Sequence, residues 1–400
     1  QPARRSDTST LRARSRGWHP ARIFPPTHPF IRGGGDVCPK QKVGECRGAC
    51  DKEVHEREVA VCTGCGSAMC AECRAYASTC KSCLHGSEEV GESQAKAYLE
   101  YVKGRTYSKE AFAQAVRHGE QLMEATGGWR AAMTALRRVW AKSEGDHLAG
   151  GLHPEWDASV DQDLMDYMRS VILKGVPTRD RIKDRKRVEA VPHPSAMEYL
   201  DEIATTLWED AQEGRVLLCR SNKERLQGVV SVPVARVPKY NPDRTLSEKG
   251  RLVWDQTFPN EGCPKEDHPP ALQPTHADVA RLILFWKHRF PGIPVLMSKK
   301  DISGAFKWLW LAEEEEASIF AADLPGSYFG MEGLITSVYL VLTFGWTGSP
   351  GEWMVFAWAM RQRHNATGSR DVWWHDTVPY CSLFLMDDQV IVEPDLGCRA

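Results

Sequence analysis

The sequence predicts an α+β fold with a small metal-binding module at its N-terminal side. Three observations predict it: clustered cysteines lie before residue 86, amphipathic helical stripes follow, and short strand-like runs alternate with turns and helices from residue 195 onward. The chain has 400 residues, of which 42% are hydrophobic and 26% charged. This composition excludes a wholly disordered or low-complexity chain, and the length suits two or three domains.

Charge and hydropathy limit the classes of partner. The chain has 51 Lys and Arg residues and 53 Asp and Glu residues, a formal net charge of −2. No overall charge attracts it to nucleic acid or to an anionic membrane, so binding of either kind must rest on local patches. No apolar run approaches the roughly 18 residues that a membrane span needs, and we expect no membrane partner. Scattered thiols without a secretory signal favour an intracellular protein of the nucleus or cytoplasm.

The two ends of the chain carry little structural signal. Residues 1–35 contain seven arginines and one acidic residue among Pro, Ser and Gly, which predicts a disordered basic arm with no assigned role. The sequence begins with Gln1 and stops soon after a predicted hairpin. We therefore expect a fragment of a longer protein.

The cysteines predict two zinc sites. Nine of the 13 cysteines lie within residues 36–86, and eight of them form four pairs, three with C-x2-C spacing. A C-x2-C turn brings two thiolates onto one tetrahedral Zn²⁺, so four pairs supply two closed structural sites. A disulfide framework is the alternative, but no secretory signal accompanies the pairs. The predicted zinc ligands are Cys46, Cys50, Cys62, Cys65, Cys70, Cys73, Cys80 and Cys83.

The run CTGCGSAMCAEC followed by CKSC resembles the cross-brace zinc modules of the RING and FYVE kind. The resemblance implies that one zinc is bound by Cys46, Cys50, Cys70 and Cys73, and the other by Cys62, Cys65, Cys80 and Cys83. The basic lipid-binding segment of FYVE domains and the usual RING histidine are both missing from this sequence. The stretch between Cys50 and Cys62 is mixed in charge, which favours a protein partner for the module over nucleic acid.

Residues 94–175 are predicted as a helical segment. After a predicted linker over 86–93, Ser108 can cap a helix, and apolar residues recur at helical spacing on both sides of residue 150. Residues 176–194 are basic and flanked by prolines, which predicts a solvated linker at a domain boundary, with phosphate contact as the alternative.

A hairpin is predicted early in the C-terminal half, residues 195–400. The runs VPVARVPK (Val232 to Lys239) and RLVWD (Arg251 to Asp255) are separated by a polar turn, which predicts two paired strands. The hairpin carries Lys239 and Arg251, and both cations can contact phosphate.

Three later segments carry the candidate chemistry. The run VLMSKKDISGAFKWLWL predicts a buried strand with Asp301 at its centre, FGWTGSP predicts a glycine-rich turn with Ser349 as cap of the next helix, and SLFLMDDQVIVEP predicts two strands hinged on Asp387 and Asp388. Each alone also fits a purely structural role. Together they fit phosphoryl transfer, in which carboxylates from separate strands hold two Mg²⁺ about 4 Å apart.

Over residues 195–400 these motifs resemble reverse transcriptases of the retrotransposon type. DISGAF resembles the palm strand with the first catalytic Asp, here Asp301, and FLMDD resembles the hairpin with the second and third, Asp387 and Asp388. The resemblance implies a right-hand fingers and palm fold with an antiparallel sheet and helices. It also implies RNA-directed DNA polymerase activity with two catalytic Mg²⁺, and a template-primer and dNTPs as partners.

The resemblance assigns further roles to single residues. Phe306, five residues after Asp301, matches the aromatic that in the family excludes a ribose 2′-hydroxyl, which implies DNA synthesis; a core aromatic is the alternative. RLVWD resembles the fingers segment that binds the triphosphate, and FGWTGSP the segment that positions template and nucleotide. The implied nucleotide-binding residues are Lys239, Arg251, Phe306, Gly345, Trp346, Gly348 and Ser349. The sequence stops before a thumb or ribonuclease H region, so we expect an incomplete palm that extends primers poorly alone.

Two other functions stay open at this point. An RNA-directed RNA polymerase shares the palm carboxylates, although Phe306 argues against it. A zinc-finger protein that binds protein or nucleic acid and carries an inactive polymerase-like domain is the other, and the presence of Asp301, Asp387, Asp388 and Arg251 argues against decay.

Overall fold

The computed structural model describes residues 81–144, 152, 154–241, 243–312, 314–368 and 378–399, and four short strands nearer the N-terminus. Those strands are β1 (Lys42–Glu45), β2 (Glu53–His55), β3 (Ala60–Val61) and β4 (Ala68–Met69). β1 pairs with β2 and β3 with β4, both antiparallel. The side chains of the eight predicted zinc ligands lie outside the described residues, so the zinc sites stay a prediction.

Helices dominate the next part of the chain. They are α1 (Lys81–Val102), α2 (Lys109–Thr126), α3 (Trp129–Glu144), α4 (Pro154–Asp157) and α5 (Gln162–Lys174). The predicted helical character is confirmed, and Ser108 caps α2 by accepting a hydrogen bond from the Ala111 amide at 3.1 Å. The predicted linker over 86–93 is wrong because α1 continues through it. There Gly91 is buried, and an added Cβ would lie 2.7 Å from Thr126 Cγ2, so close packing outweighs the local turn signal.

A buried three-stranded sheet lies against these helices. After α6 (Pro194–Met197) and α7 (Leu200–Gln212), it is formed by β5 (Val216–Arg220), β9 (Ala321–Pro325) and β10 (Leu334–Tyr339), in the order β5-β10-β9 with antiparallel pairing. Tyr98 of α1 donates to the Val216 carbonyl at 3.0 Å, and Gly119 of α2 packs against the Leu218 carbonyl. The helices and this sheet share one continuous hydrophobic cluster.

The predicted hairpin is confirmed. It is formed by β6 (Val234–Val237) and β7 (Arg251–Trp254), which pair antiparallel. Helices α8 (Thr257–Asn260) and α9 (His276–Arg289) follow. Glu202 of α7 holds the base of the hairpin, because it accepts hydrogen bonds from Arg236 Nε at 2.7 Å and from the Gly250 amide at 2.5 Å.

A second three-stranded sheet is formed by β8 (Val295–Asp301), β11 (Ser382–Leu385) and β12 (Asp388–Pro394), in the order β11-β12-β8. The prediction of a buried β8 is wrong: Met297 is 64% exposed, and most of the strand lies on the surface. β8 is an edge strand that pairs only with β12, while Trp286 of α9 packs at β12 and donates to the Val392 carbonyl at 2.8 Å. An apolar run therefore did not mean burial here.

The basic segment of residues 176–194 is integrated into the fold, contrary to the predicted solvated linker. Its backbone forms parallel bridges at Val176 and Val188. Arg187, with 4% of its side chain exposed, forms an ion pair with the buried Asp323 at 3.0 Å. Arg185 is similarly buried beside Asp180. The charges are held by partners distant in sequence, which a local charge pattern does not reveal.

The described residues thus form an α+β fold with small antiparallel sheets, as the sequence predicts. Helix α10 (Ser349–Ala366) completes it by packing against β11 and α5. Within the described part of the chain, no helix is both long enough and apolar enough to cross a membrane.

Candidate active site

Three carboxylates converge at one end of the exposed sheet. Asp301 ends β8 and lies directly opposite Asp388, the first residue of β12, while Asp387 occupies the turn before it. Opposite residues of antiparallel strands project to the same face. One ligand atom from each of the three residues lies within 4.8 Å of the other two, so the group could hold a metal ion.

The turn between β11 and β12 places Asp387. Leu385 pairs with Asp388, so the loop is only Met386 and Asp387. Met386 has φ of +59°, a left-handed conformation that is unfavourable for a side chain of this size. Trp353 of α10 holds it, because its indole Nε1 donates to the Met386 carbonyl at 2.9 Å. The Ile302 amide donates to the Asp387 carbonyl at 3.0 Å, which ties the turn to the chain after β8.

One cation stands beside the three carboxylates. Lys299 Nζ lies 2.7 Å from Asp388 Oδ2, and this hydrogen bond raises the pKa of the lysine above its usual value. The other oxygen, Asp388 Oδ1, is buried and has no hydrogen-bond partner among the described residues. Buried polar atoms without a partner are uncommon in folded proteins. Hard carboxylate oxygens, one of them unsatisfied, are a donor set that fits Mg²⁺.

An aromatic pair follows the first carboxylate. Phe306 lies in a short 3₁₀ helix, Ala305–Trp308, and its side chain is buried. Its ring centroid lies 4.9 Å from that of Phe344, which is 43% exposed. The chain after Asp301 therefore contacts the glycine-rich segment 344–350 through two rings, which joins two of the segments that the sequence singled out.

The glycine-rich segment packs closely on the base of the hairpin. Gly345 has φ of +106°, and an added Cβ would lie 2.1 Å from the Trp254 carbonyl oxygen of β7, so only glycine fits. Asn260 of α8 fixes the segment on both sides: its amide Nδ2 donates to the Gly345 carbonyl and its Oδ1 accepts from the Thr347 amide, each at 2.9 Å. The segment is therefore rigidly placed relative to the hairpin.

Two of the predicted nucleotide-binding residues in this segment lie in the core. Trp346 is 1% exposed, with its ring 4.8 Å from that of His268. An added Cβ on Gly348 would lie 2.4 Å from the Trp346 ring. Ser349 is fully buried and donates to the Thr343 carbonyl at 2.8 Å. The prediction that Ser349 caps α10 is wrong, since it is the first helical residue and Gly348 precedes it without a side-chain cap.

The hairpin presents the two predicted phosphate-binding cations to solvent. Arg251 lies opposite Val237 in the β6-β7 register, and Lys239 follows the end of β6. Both side chains are exposed, and neither makes an ion pair or side-chain hydrogen bond with another described residue. They remain available to an anionic ligand.

A buried polar network anchors the start of α10. Glu352 is fully buried, with Oε1 2.9 Å from His268 Nδ1 and 3.1 Å from Arg179 Nη1. Tyr167 of α5 donates to the other carboxylate oxygen, and burial followed by the charge of Glu352 raises the pKa of this phenol well above its usual value. The network joins segments 185 residues apart to the helix that holds the Met386 turn.

Sequence reasoning missed two residues of this site. Lys299 had a signal, since it precedes Asp301 by two positions and side chains two apart in a strand share a face. Asn260 had none, because its role depends on a loop far along the chain. No family model matches the chain, and no curated protein matches it. The site is therefore interpreted from its own geometry.

Proposed function

We propose that the chain contains the fingers and palm of an RNA-directed DNA polymerase of retroelement type, which transfers nucleotides to a primer 3′-hydroxyl. The observation that carries the proposal is the convergence of Asp301, Asp387 and Asp388 from neighbouring strands onto one exposed face. Buried carboxylates with structural roles have cation or hydroxyl partners, whereas these three share a single exposed lysine. A set of this kind is suited to bind divalent cations.

The three carboxylates would hold the catalytic Mg²⁺ ions. When bound, these ions neutralise charge on the transferring phosphate and its leaving group. The residues of the chain supply the remaining functions: the turn held by Trp353 fixes Asp387, and the exposed cations Arg251 and Lys239 would bind the triphosphate of the incoming dNTP.

The aromatic pair supports DNA as the product. Phe306 lies just after the first carboxylate and packs on Phe344, so its ring has little freedom to move away from a sugar bound beside it. We propose that it excludes the ribose 2′-hydroxyl. The two zinc ions of the cysteine module belong to the same proposal as structural ions, with a protein partner as the ligand of that module.

The test is Mg²⁺-dependent extension of a DNA primer on an RNA template by the wild-type chain, Asp387→Asn and Asp395→Asn. Asp395 is an exposed carboxylate just after β12, so its variant matches the charge change away from the site. We expect extension with dNTPs by wild type and Asp395→Asn and loss of at least about 10²-fold in Asp387→Asn. Mn²⁺ binding measured on the same three proteins separates metal binding from polymerisation.

Three results would count against the proposal. Equal extension by wild type and Asp387→Asn would remove the catalytic role of the carboxylates. Incorporation of NTPs in preference to dNTPs would identify an RNA polymerase. Absence of both extension and Mn²⁺ binding would favour an interaction protein with an inactive polymerase-like domain.

A further inference from the structure

A basic cavity lies apart from the candidate active site. It has a volume of about 810 Å³, within the usual range for ligand sites, and it is bounded by the basic segment, the loop at 223–228 and the 3₁₀ helix Glu314–Ile319. None of the three carboxylates, the hairpin cations or the glycine-rich segment lines it. The proposed polymerase chemistry leaves this cavity without a role.

Cations predominate in the lining. Seven lining residues are Arg or Lys and three are acidic. The cations come from α3, from the basic segment and from the loop after β5, so they surround the cavity rather than form one run. They are Arg130, Arg179, Lys183, Arg185, Lys186, Arg187 and Lys223.

Two of the acidic groups are satisfied by the protein itself. Asp180 accepts from Arg185 Nε at 2.6 Å and Nη2 at 3.0 Å, and also from the Ile182 amide at 2.9 Å. Glu316 accepts from the amide and hydroxyl of Thr178. These hydrogen bonds direct the carboxylates toward the chain, which weakens their effect on a ligand in the cavity.

Arg185 offers a donor that the protein does not use. Only 6% of its side chain is exposed, and the fork formed with Asp180 fixes the guanidinium group. Its remaining nitrogen, Nη1, is buried and has no hydrogen-bond partner among the described residues. A buried donor without a partner is unfavourable, and an anionic oxygen would satisfy it with a charge-assisted hydrogen bond.

Two exposed lysines complete the arrangement. Lys186 lies on the basic segment and Lys223 on the loop after β5, and neither has a printed partner among the described side chains. Cations on separate segments suit a series of phosphates better than a single small anion. We propose that this cavity binds the phosphates of a single-stranded nucleic acid. The proposal does not depend on polymerase activity, because it uses no residue of the carboxylate site.

The test is fluorescence anisotropy with a labelled oligodeoxythymidine about 16 nucleotides long, without Mg²⁺ or dNTPs. Wild type is compared with Lys186→Gln/Lys223→Gln and with Lys96→Gln/Lys174→Gln, a matched pair of exposed lysines that do not line the cavity. Each lost phosphate contact on a single strand lowers the salt slope by about 0.7, or about fivefold in affinity at 0.1 M salt. We expect about 20-fold weaker binding and a slope lower by about 1.4 in the cavity variant.

Two controls make the result decisive. Asp387→Asn should bind the strand as wild type does, so binding here can succeed even where primer extension fails. Tripolyphosphate is titrated in parallel to detect a site for free polyphosphate. The proposal is overturned if the cavity variant and the matched control lose equal affinity for the strand, or if the cavity variant loses tripolyphosphate binding alone.

Discussion

Asp323 lies on β9 of the buried sheet, and Asp301 and Asp388 lie on neighbouring strands of the exposed sheet. Asp323 accepts hydrogen bonds from Arg187, Ser231 and Thr336, at 2.7 to 3.1 Å. Asp388 has Lys299 on one oxygen and no described partner on the other. The two sheets are of equal strand number, yet one encloses its carboxylate and the other brings three together on its surface.

The difference teaches how to separate structural from functional carboxylates. A buried charge is tolerated only when it is paired and hydrogen-bonded, so Asp323 is explained by the fold. Three acidic groups within a few ångströms repel one another and gain nothing from folding. Their convergence is explained by a ligand that brings positive charge, which is the basis of the proposed Mg²⁺ site.

The largest expected effect is on the buried sheet. Arg187→Met leaves Asp323 buried without its cation, which should lower the free energy of unfolding by about 3–5 kcal/mol. Urea unfolding measures it. Arg181→Met is the control: it removes an ion pair with Asp267 at 2.6 Å in which the arginine side chain is 64% exposed, and it should cost less than about 1 kcal/mol. Equal losses in the two variants would contradict the contrast between the sheets.

On the exposed sheet, Lys299 should compete with a metal ion for Asp388. We expect Lys299→Ala to bind Mn²⁺ about two- to fivefold more tightly than wild type, because the ammonium no longer occupies Oδ2. Isothermal titration calorimetry measures it. Lys300→Ala removes the same charge from the adjacent residue, which projects to the opposite face of β8. A gain in Lys300→Ala equal to that in Lys299→Ala would show a general charge effect.

A smaller effect concerns stability without metal. Asp387→Asn removes one of three converging negative charges, so the melting temperature in the presence of EDTA should stay the same or rise slightly, by less than about 0.5 kcal/mol in equivalent free energy. Differential scanning calorimetry checks the direction. A clear loss of stability would mean that Asp387 has a structural partner, as Asp323 has.

The smallest expected effect is on pH dependence beside the exposed sheet. Burial, and then the charge of Lys300, lower the pKa of His364 below its usual value of about 6.5. The folded chain therefore binds fewer protons than the unfolded chain, and its stability should decrease as the pH falls through about 6.5. Urea unfolding of wild type and His364→Gln at pH 7.5 and at pH 5.5 measures it. The decrease should be smaller in the variant.

Much of the site was predictable because its signals are local. The hairpins, the helical stripes and the positions of Asp301, Asp387 and Asp388 follow from periodicity and turn residues within short windows. The burial of Trp346 was not predictable in this way, because an aromatic residue in a glycine-rich turn looks the same whether it faces solvent or His268. The surface position of β8 was hidden for a similar reason, since apolar runs do not report which strand becomes an edge.

The sequence by itself determined which side chains could do chemistry: paired carboxylates in a hairpin, a carboxylate ending a strand, and cations on a second hairpin. The tertiary structure alone decided which charges are free. Arg187 is 136 residues from Asp323 in the chain, and Arg179 is 173 residues from Glu352, yet both pairs lie in contact. Burial depends on such distant contacts, and burial decides whether a charged group is held by a partner or remains available to a ligand.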